Sequence, residues 1–271
     1  LLFIVLNEDV FSPPIIQQSI NLMRRFIDSG DFYPQLDNNF YQFSFDNAGI
    51  IELFKNKIHI ANIDNINAYL NLLISMCYLN APFTTKFLNE CAYQISEFIN
   101  EFFQFNQTLP PKKREKLFKL ITNTIYLLSF SISPENINFF YIFIDSFFHI
   151  DNNCYKNKFI MYIIYNICKI DAGVELVSGN EFIITKINEI LISNNIDLIK
   201  PSLRIIMYFI ENMLPLNEKF YIINFLILIE INDDEIRGMA LEIINSCMRN
   251  PEMVAQLFLN KTSIMSHIHE P

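Results

Sequence analysis

The sequence predicts an all-α protein made of stacked helix pairs in one continuous domain, residues 1–271. Three observations carry that expectation. Apolar residues recur at helical spacing along most of the chain. Only five glycines occur in 271 residues, too few for the tight turns of β proteins or for Gly-rich phosphate loops, which draw on glycine for φ > 0. The helical stretches also return as pairs at intervals of 38 to 45 residues. Hydrophobic residues make up 51% of the chain and charged residues 18%, against about a quarter charged in an average domain. That is ample material for a core.

The opening LLFIVL lacks a basic leader and a small-residue cleavage site, so it reads as the inside of a helix rather than a signal peptide. Ser12-Pro13 sets a capping side chain before a proline at the first helical position, where the missing N–H costs nothing. FYQFSF (40–45) alternates and is the best strand candidate. The first pair starts near Ala48 (AGIIELF) and continues in NINAYLNLLISMCYL (65–79). The second starts near Tyr93, where Ile95, Phe98, Ile99, Phe102 and Phe103 share one face, and continues in KREKLFKLITNTIYLLSF (113–130).

Ser133-Pro134 announces the third pair, NINFFYIFIDSFF from Asn136 and KNKFIMYIIYNICKI (156–170). The fourth begins near Asn180, with Ile183, Ile187, Ile190 and Leu191 on one face. Its partner, LIKPSLRIIMYFIENM (198–213), holds Pro201 in the first turn if the helix starts near Asp197. The fifth is EKFYIINFLILI from Glu218 and then DEIRGMALEIINSCM (234–248). In the latter, Ile236, Met239, Ala240, Ile243, Ile244 and Cys247 form one stripe, and Asn232 with Glu235 resembles a capping box. Asn250-Pro251 and a start near Thr262 open one more repeat before Pro271. Together with the apolar start, this is the pattern of a segment cut from a longer solenoid.

Self-similarity at this length in helical units marks helical-repeat arrays. A lone pair cannot bury both its faces, and stacking neighbours makes one continuous core. The stretch IIYNICKIDAGVELVSGNEFIITKINEIL (163–191) resembles an armadillo repeat: Asn166 lies near the end of one helix, a loop follows, then Gly179 and the next repeat's second helix. The resemblance is closest from Tyr162 to Met213, extends over 233–258, and before residue 150 is a matter of pattern. It implies a right-handed α-solenoid of five to six armadillo/HEAT-like repeats with a concave face lined by the last helix of each repeat. It further implies a non-enzymatic scaffold that binds a protein or peptide segment there.

Tyr162 and Asn166, and again Tyr208 and Asn212, place Tyr four residues before Asn on the last helix of a repeat. The arrangement is similar to importin-alpha, where an aromatic residue and an Asn on successive repeats grip an extended peptide. That likeness implies an adaptor for basic peptides, and the third equivalent, Leu241/Asn245, lacks the aromatic. Asn amides bond a peptide backbone whatever its sequence, while aromatic walls hold aliphatic stems. A structural solenoid spacer within a large trafficking or cytoskeletal protein is the other reading.

Net charge is −9, which favours a basic protein or peptide partner and disfavours nucleic acid, whose binders are usually basic. Against that background KKREKLFK is a cationic cluster, and Lys112, Lys113, Arg114 and Lys116 form a candidate patch for an anion or acidic partner. The five cysteines show no CxxC, so they imply neither a disulfide framework nor a zinc site. Reduced, buried thiols fit a cytoplasmic or nuclear protein. No GxSxG, P-loop, HExxH or GxGxxG is present. The four histidines include His267 and His269 at the end of the sequence, without nearby Cys. No catalytic residue, metal or cofactor is expected. The longest uncharged run, Asn65 to Thr85, carries several Asn and a Pro, which oppose membrane insertion.

Overall fold

The computed structural model describes residues 14, 15, 17–19, 21, 22, 50–57, 63–79, 81–105, 108–150, 158–214, 216 and 219–249. Every regular element among them is helical. The alternating stretch 40–45, the Asn250-Pro251 start and the expected helix near Thr262 lie outside the described residues. The chain divides into two compact units, residues 1–146 and 147–271.

In the first unit α1 (Ile50–Lys57), α2 (Ile63–Leu79), α3 (Ala81–Phe105) and α4 (Pro111–Leu128) follow one another, with a 3-10 turn at Ser129–Ser131. Packing alternates: α1 lies on α3 and α2 on α4, while α2 also contacts α3. This is a two-helix stack. The middle helix α2 is covered nearly all round from Asn65 to Cys77, and Ile66, Leu70, Leu72, Leu73 and Met76 are buried. Each contributes roughly 1.5–3 kcal/mol by leaving water.

Helix α3 begins at Ala81, twelve residues before the start expected near Tyr93. The reason is local. Pro82 falls at the second helical position, where no donor is needed, and Thr84 Oγ1 reaches back to the Cys77 carbonyl at 3.3 Å. Phe83, Phe87 and Leu88 then extend the buried stripe of Cys91, Ile95, Phe98, Ile99 and Phe102 toward the N-terminus. Phe87 meets Phe54 of α1 edge-on at 5.3 Å and stacks on Phe83 at 5.7 Å. Phe54, Phe83 and Phe87 are thus buried where α1 packs on α3.

Helix α5 (Ile137–Ile150) begins in the first unit and ends in the second. Ser133-Pro134 does not cap it directly. Both belong to a preceding turn, closed by the Ser133 N–H donating to Asn136 Oδ1 at 2.9 Å. The second unit continues with α6 (Lys158–Ile167), α7 (Asp171–Ser178), α8 (Glu181–Leu191), α9 (Ile196–Glu211), α10 (Ile222–Leu228) and α11 (Asp234–Cys247). Helix α9 packs on both α6 and α11, and α8 packs on α10.

Helix α7 occupies what the sequence reads as turn chemistry. Val174 and Val177, three apart, are buried, and Asp171 favours its N-terminal dipole. Gly179 ends it at φ −75°, so the left-handed region is not its role. A Cβ there would approach the Glu175 carbonyl to 3.2 Å.

Caps agree in kind with the sequence and differ in place. Asn180 Oδ1 accepts from the Ile183 N–H at 3.1 Å. At α11 the cap is Asp233 rather than Asn232, its Oδ1 accepting from Glu235 and Ile236 at 3.1 Å each. The aspartate prevails because a carboxylate serves the positive helix end better than an amide. Pro201 sits at the sixth residue of α9, one residue deeper than a start at Asp197 gives and past the first turn, and is buried.

Candidate functional site

Among the described residues, aromatic and charged side chains gather on α6, α9 and α11, the helices that stack directly on one another in the second unit. Residues three and four apart on a helix are neighbours, so α6 presents Tyr162, Tyr165 and, just past its end, Lys169 along one edge. Helix α9 presents Lys200, Arg204, Tyr208 and Asn212 at i, i+4, i+8 and i+12. The start of α11 adds Asp233 and Glu235.

Tyr165 is the hub of this face. Its ring lies 6.5 Å from that of Tyr162 and 5.7 Å from that of Tyr208. Lys169 Nζ stands 4.7 Å from its centroid and the Arg204 guanidinium 5.8 Å, both within cation–π range. Burial, followed by a hydrogen bond with Tyr165, pushes the Tyr208 hydroxyl up to about 12, so the Tyr208 phenol is neutral near pH 7. Arg204 also pairs with Glu235. Lys200 bridges Asp233 and Glu235 at 2.9 Å each. Hydrogen bonds from Lys200 hold both carboxyls below their usual range, and Arg204 adds to the effect at Glu235.

The structure places the four sequence-predicted residues differently from one another. Tyr162 and Tyr208 are half-buried on this face, and Asn212 is exposed, its Nδ2 donating to the Tyr208 carbonyl at 2.9 Å. Asn166 is 2% exposed, and its Oδ1 accepts from Lys169 Nζ at 2.7 Å. It therefore serves the helix end rather than the surface. Tyr162 and Tyr208 are linked through Tyr165, a residue the Tyr-Asn spacing does not single out. The signal for it is an aromatic and a cation four apart on each of two successive last helices, Tyr165/Lys169 and Arg204/Tyr208. Leu241 and Asn245, on α11, are both exposed.

Lys112, Lys113, Arg114 and Lys116 are all exposed in the first turns of α4. They lie in the first unit. Among the described residues no group of His, Cys, Asp or Glu is arranged to hold a metal, and no helix is long and apolar enough to cross a membrane. His59, Cys154, His267 and His269 lie outside the described residues.

No family model matches the chain, and no curated protein matches it by sequence. Solved structures do match. A designed armadillo repeat protein superimposes with a TM-score of 0.62 at 12% identity, covering 90% of this chain and 98% of that one. The fold is an armadillo-like helical repeat. Two engineered proteins from a structural genomics programme agree with it. One gives a TM-score of 0.66 at 10% identity over 94% of this chain and 60% of its own. The other gives 0.60 at 11% identity over 90% and 96%. At these identities the likeness concerns the fold alone.

Proposed function

We propose that the chain is a non-enzymatic protein-interaction scaffold whose α6–α9–α11 face takes an extended segment of a partner protein. The observation that carries this reading is the ring row Tyr162–Tyr165–Tyr208, half-buried and flanked by Lys169, Arg204 and the exposed Asn212. Rings held by neighbouring rings and cations are already ordered, so a binder is spared that ordering cost. Tyrosine offers both apolar area and a hydroxyl at small entropic loss. Helical-repeat arrays use such stacked surfaces for binding. Four cysteines are buried as free thiols, which fits a cytoplasmic or nuclear setting.

The charge on this face favours a neutral or mildly acidic segment over a basic one. Tyr165 already holds two cations, and Asp233 and Glu235 are engaged by Lys200 and Arg204. An adaptor for basic peptides needs carboxylates that are not so engaged.

The test is selection of peptides from a random display library on the wild-type protein, followed by titration against Tyr165→Ala and Tyr208→Ala. Selected peptides should lose about tenfold or more in affinity for either variant, as central aromatic contacts usually do. Peptides that bind both variants as well as the wild type would refute the site.

A further inference from the structure

We propose that the basic start of α4 is a second docking surface, which takes an anionic peptide segment of a partner protein through Lys112, Lys113, Arg114 and Lys116. It lies in the first unit and is independent of the tyrosine face. Four cations fall within residues 112–116 of a chain whose net charge is −9, and all four are exposed. Lys112 and Lys116, and Lys113 and Lys116, are helical neighbours, where like charges oppose one another.

These cations also stand at the positive end of the helix dipole. Here Pro110 occupies the cap position without a side-chain hydrogen bond. Helices α7, α8, α9 and α11 instead carry Asp171, Glu181, Asp197 and Asp234 with Glu235 in the first turn. The one carboxylate in the run, Glu115, is paired with Lys119 at 2.8 Å. Among the described residues Lys112, Arg114 and Lys116 make no ion pair. The arrangement works against the isolated fold, and an anionic partner relieves both the mutual repulsion and the dipole conflict.

The partner's class follows from size and surroundings. From Lys112 to Lys119 the cluster spans about 10 Å at the helical rise, the reach of a few carboxylates or phosphates on an extended peptide. Leu117 is buried, and the exposed apolar side chains of 110–116 are only the short rings of Pro110 and Pro111, with no aromatic or long aliphatic group to enter lipid or stack on bases. A membrane or a nucleic acid would also feel the chain's net negative charge over its whole surface. A short segment feels chiefly the charges within a Debye length, about 10 Å at 0.1 M salt.

The experiment is fluorescence anisotropy on the full chain with three labelled peptides: one rich in Asp and Glu, one carrying phosphoserines, and one with Asn and Gln in their place. Vesicles of phosphatidylserine and phosphatidylcholine form a fourth arm. The anionic peptides should bind about tenfold or more tighter than the neutral one, with affinity falling steeply as salt is raised. The variant K112Q/K113Q/R114Q/K116Q should lose that difference while keeping its helical circular dichroism. Equal binding of anionic and neutral peptides overturns the proposal, as does an unaffected quadruple variant. Capture by vesicles without binding of either anionic peptide overturns the choice of partner.

Discussion

Replacing Met213 by glycine should stabilise the second unit, although nothing at the position is badly packed. Met213 has φ 56°, the one positive-φ non-glycine residue among those described. It follows Asn212 at the end of α9. Its N–H donates to the Ile210 carbonyl at 2.9 Å, and the Leu214 N–H donates to the Phe209 carbonyl at 2.9 Å. Those two bonds make a Schellman closure, whose left-handed residue is ordinarily glycine. An L side chain there costs roughly 1–2 kcal/mol. Glycine gives back about 0.5–1 kcal/mol through its freer unfolded chain. The Met213 side chain is 92% exposed, so its removal sacrifices no packing. The net gain should be about 0.5–1 kcal/mol, or roughly 2–4 °C in Tm for a unit of this size. Urea denaturation followed by circular dichroism should show a higher midpoint at unchanged slope. Met213→Ala is the control. It keeps the Cβ, so it should gain nothing. A neutral or destabilising glycine, or an alanine that does as well, would refute the claim that backbone geometry sets the cost.

Asn188→Ala should destabilise by about 1–2 kcal/mol in the same assay, because its Nδ2 donates to the Lys219 carbonyl at 2.8 Å and its Oδ1 accepts from Asn224 Nδ2 at 3.2 Å; a loss too small to resolve would remove this side of the repeat interface from the account. Asp233 and Glu235 have folded-state pKa values below their unfolded ones. Their contribution is therefore present above about pH 4 and is lost as pH falls through the lowered values. Asp233→Asn with Glu235→Gln should flatten the acid limb of the stability profile, the Asn still capping α11, and an unchanged limb would count against the Lys200–Arg204 network. Burial pushes the Cys77 and Cys91 thiols up to about 12 and Cys247 to about 11, and it raises Cys168 further. At pH 8 all four should react with a thiol reagent far more slowly in the native than in the denatured chain, and rapid native labelling of Cys77 or Cys168, mapped by mass spectrometry, would contradict their placement.

Helix identity was legible where apolar spacing is unbroken. Ile183, Ile187, Ile190 and Leu191 are buried, as are Ile236, Ala240, Ile243 and Cys247, just where their stripes put them. What failed was the reading of short or punctuated helices. Helix α7 has eight residues and two buried valines, too few for a periodic signal. The first part of α3 hides behind Pro82, Thr84 and Thr85, which read as loop but fit a first turn. The tyrosine face was half legible. Tyr162 and Tyr208 were visible through their spacing to Asn. Tyr165 was not, because its role depends on a ring contact between α6 and α9 that no local pattern encodes. Asn166 was misleading for the same reason, since an amide near a helix end serves the surface or the backbone according to its rotation around the helix.

The two units differ in repeat type, and the linkers explain the difference better than the helices do. Between α2 and α3 only residue 80 intervenes, so a repeat in the first unit can hold two helices and no more. Between α6 and α8 the chain has residues 168–180, room for an eight-residue helix about 12 Å long, and α7 fills it against α6, α8 and α9. Between α9 and α10 residues 212–221 turn through the strained Met213 instead. Where the extra helix forms, it gives the second and third helices more apolar surface to pack against. Helix α9 is the third helix of that repeat, and with α7 and α8 packed on it its remaining side carries Arg204 and Tyr208, which meet Tyr165 of α6. The proposed interaction face thus joins the third helix of the one three-helix repeat among the described residues to the last helix of the repeat before it.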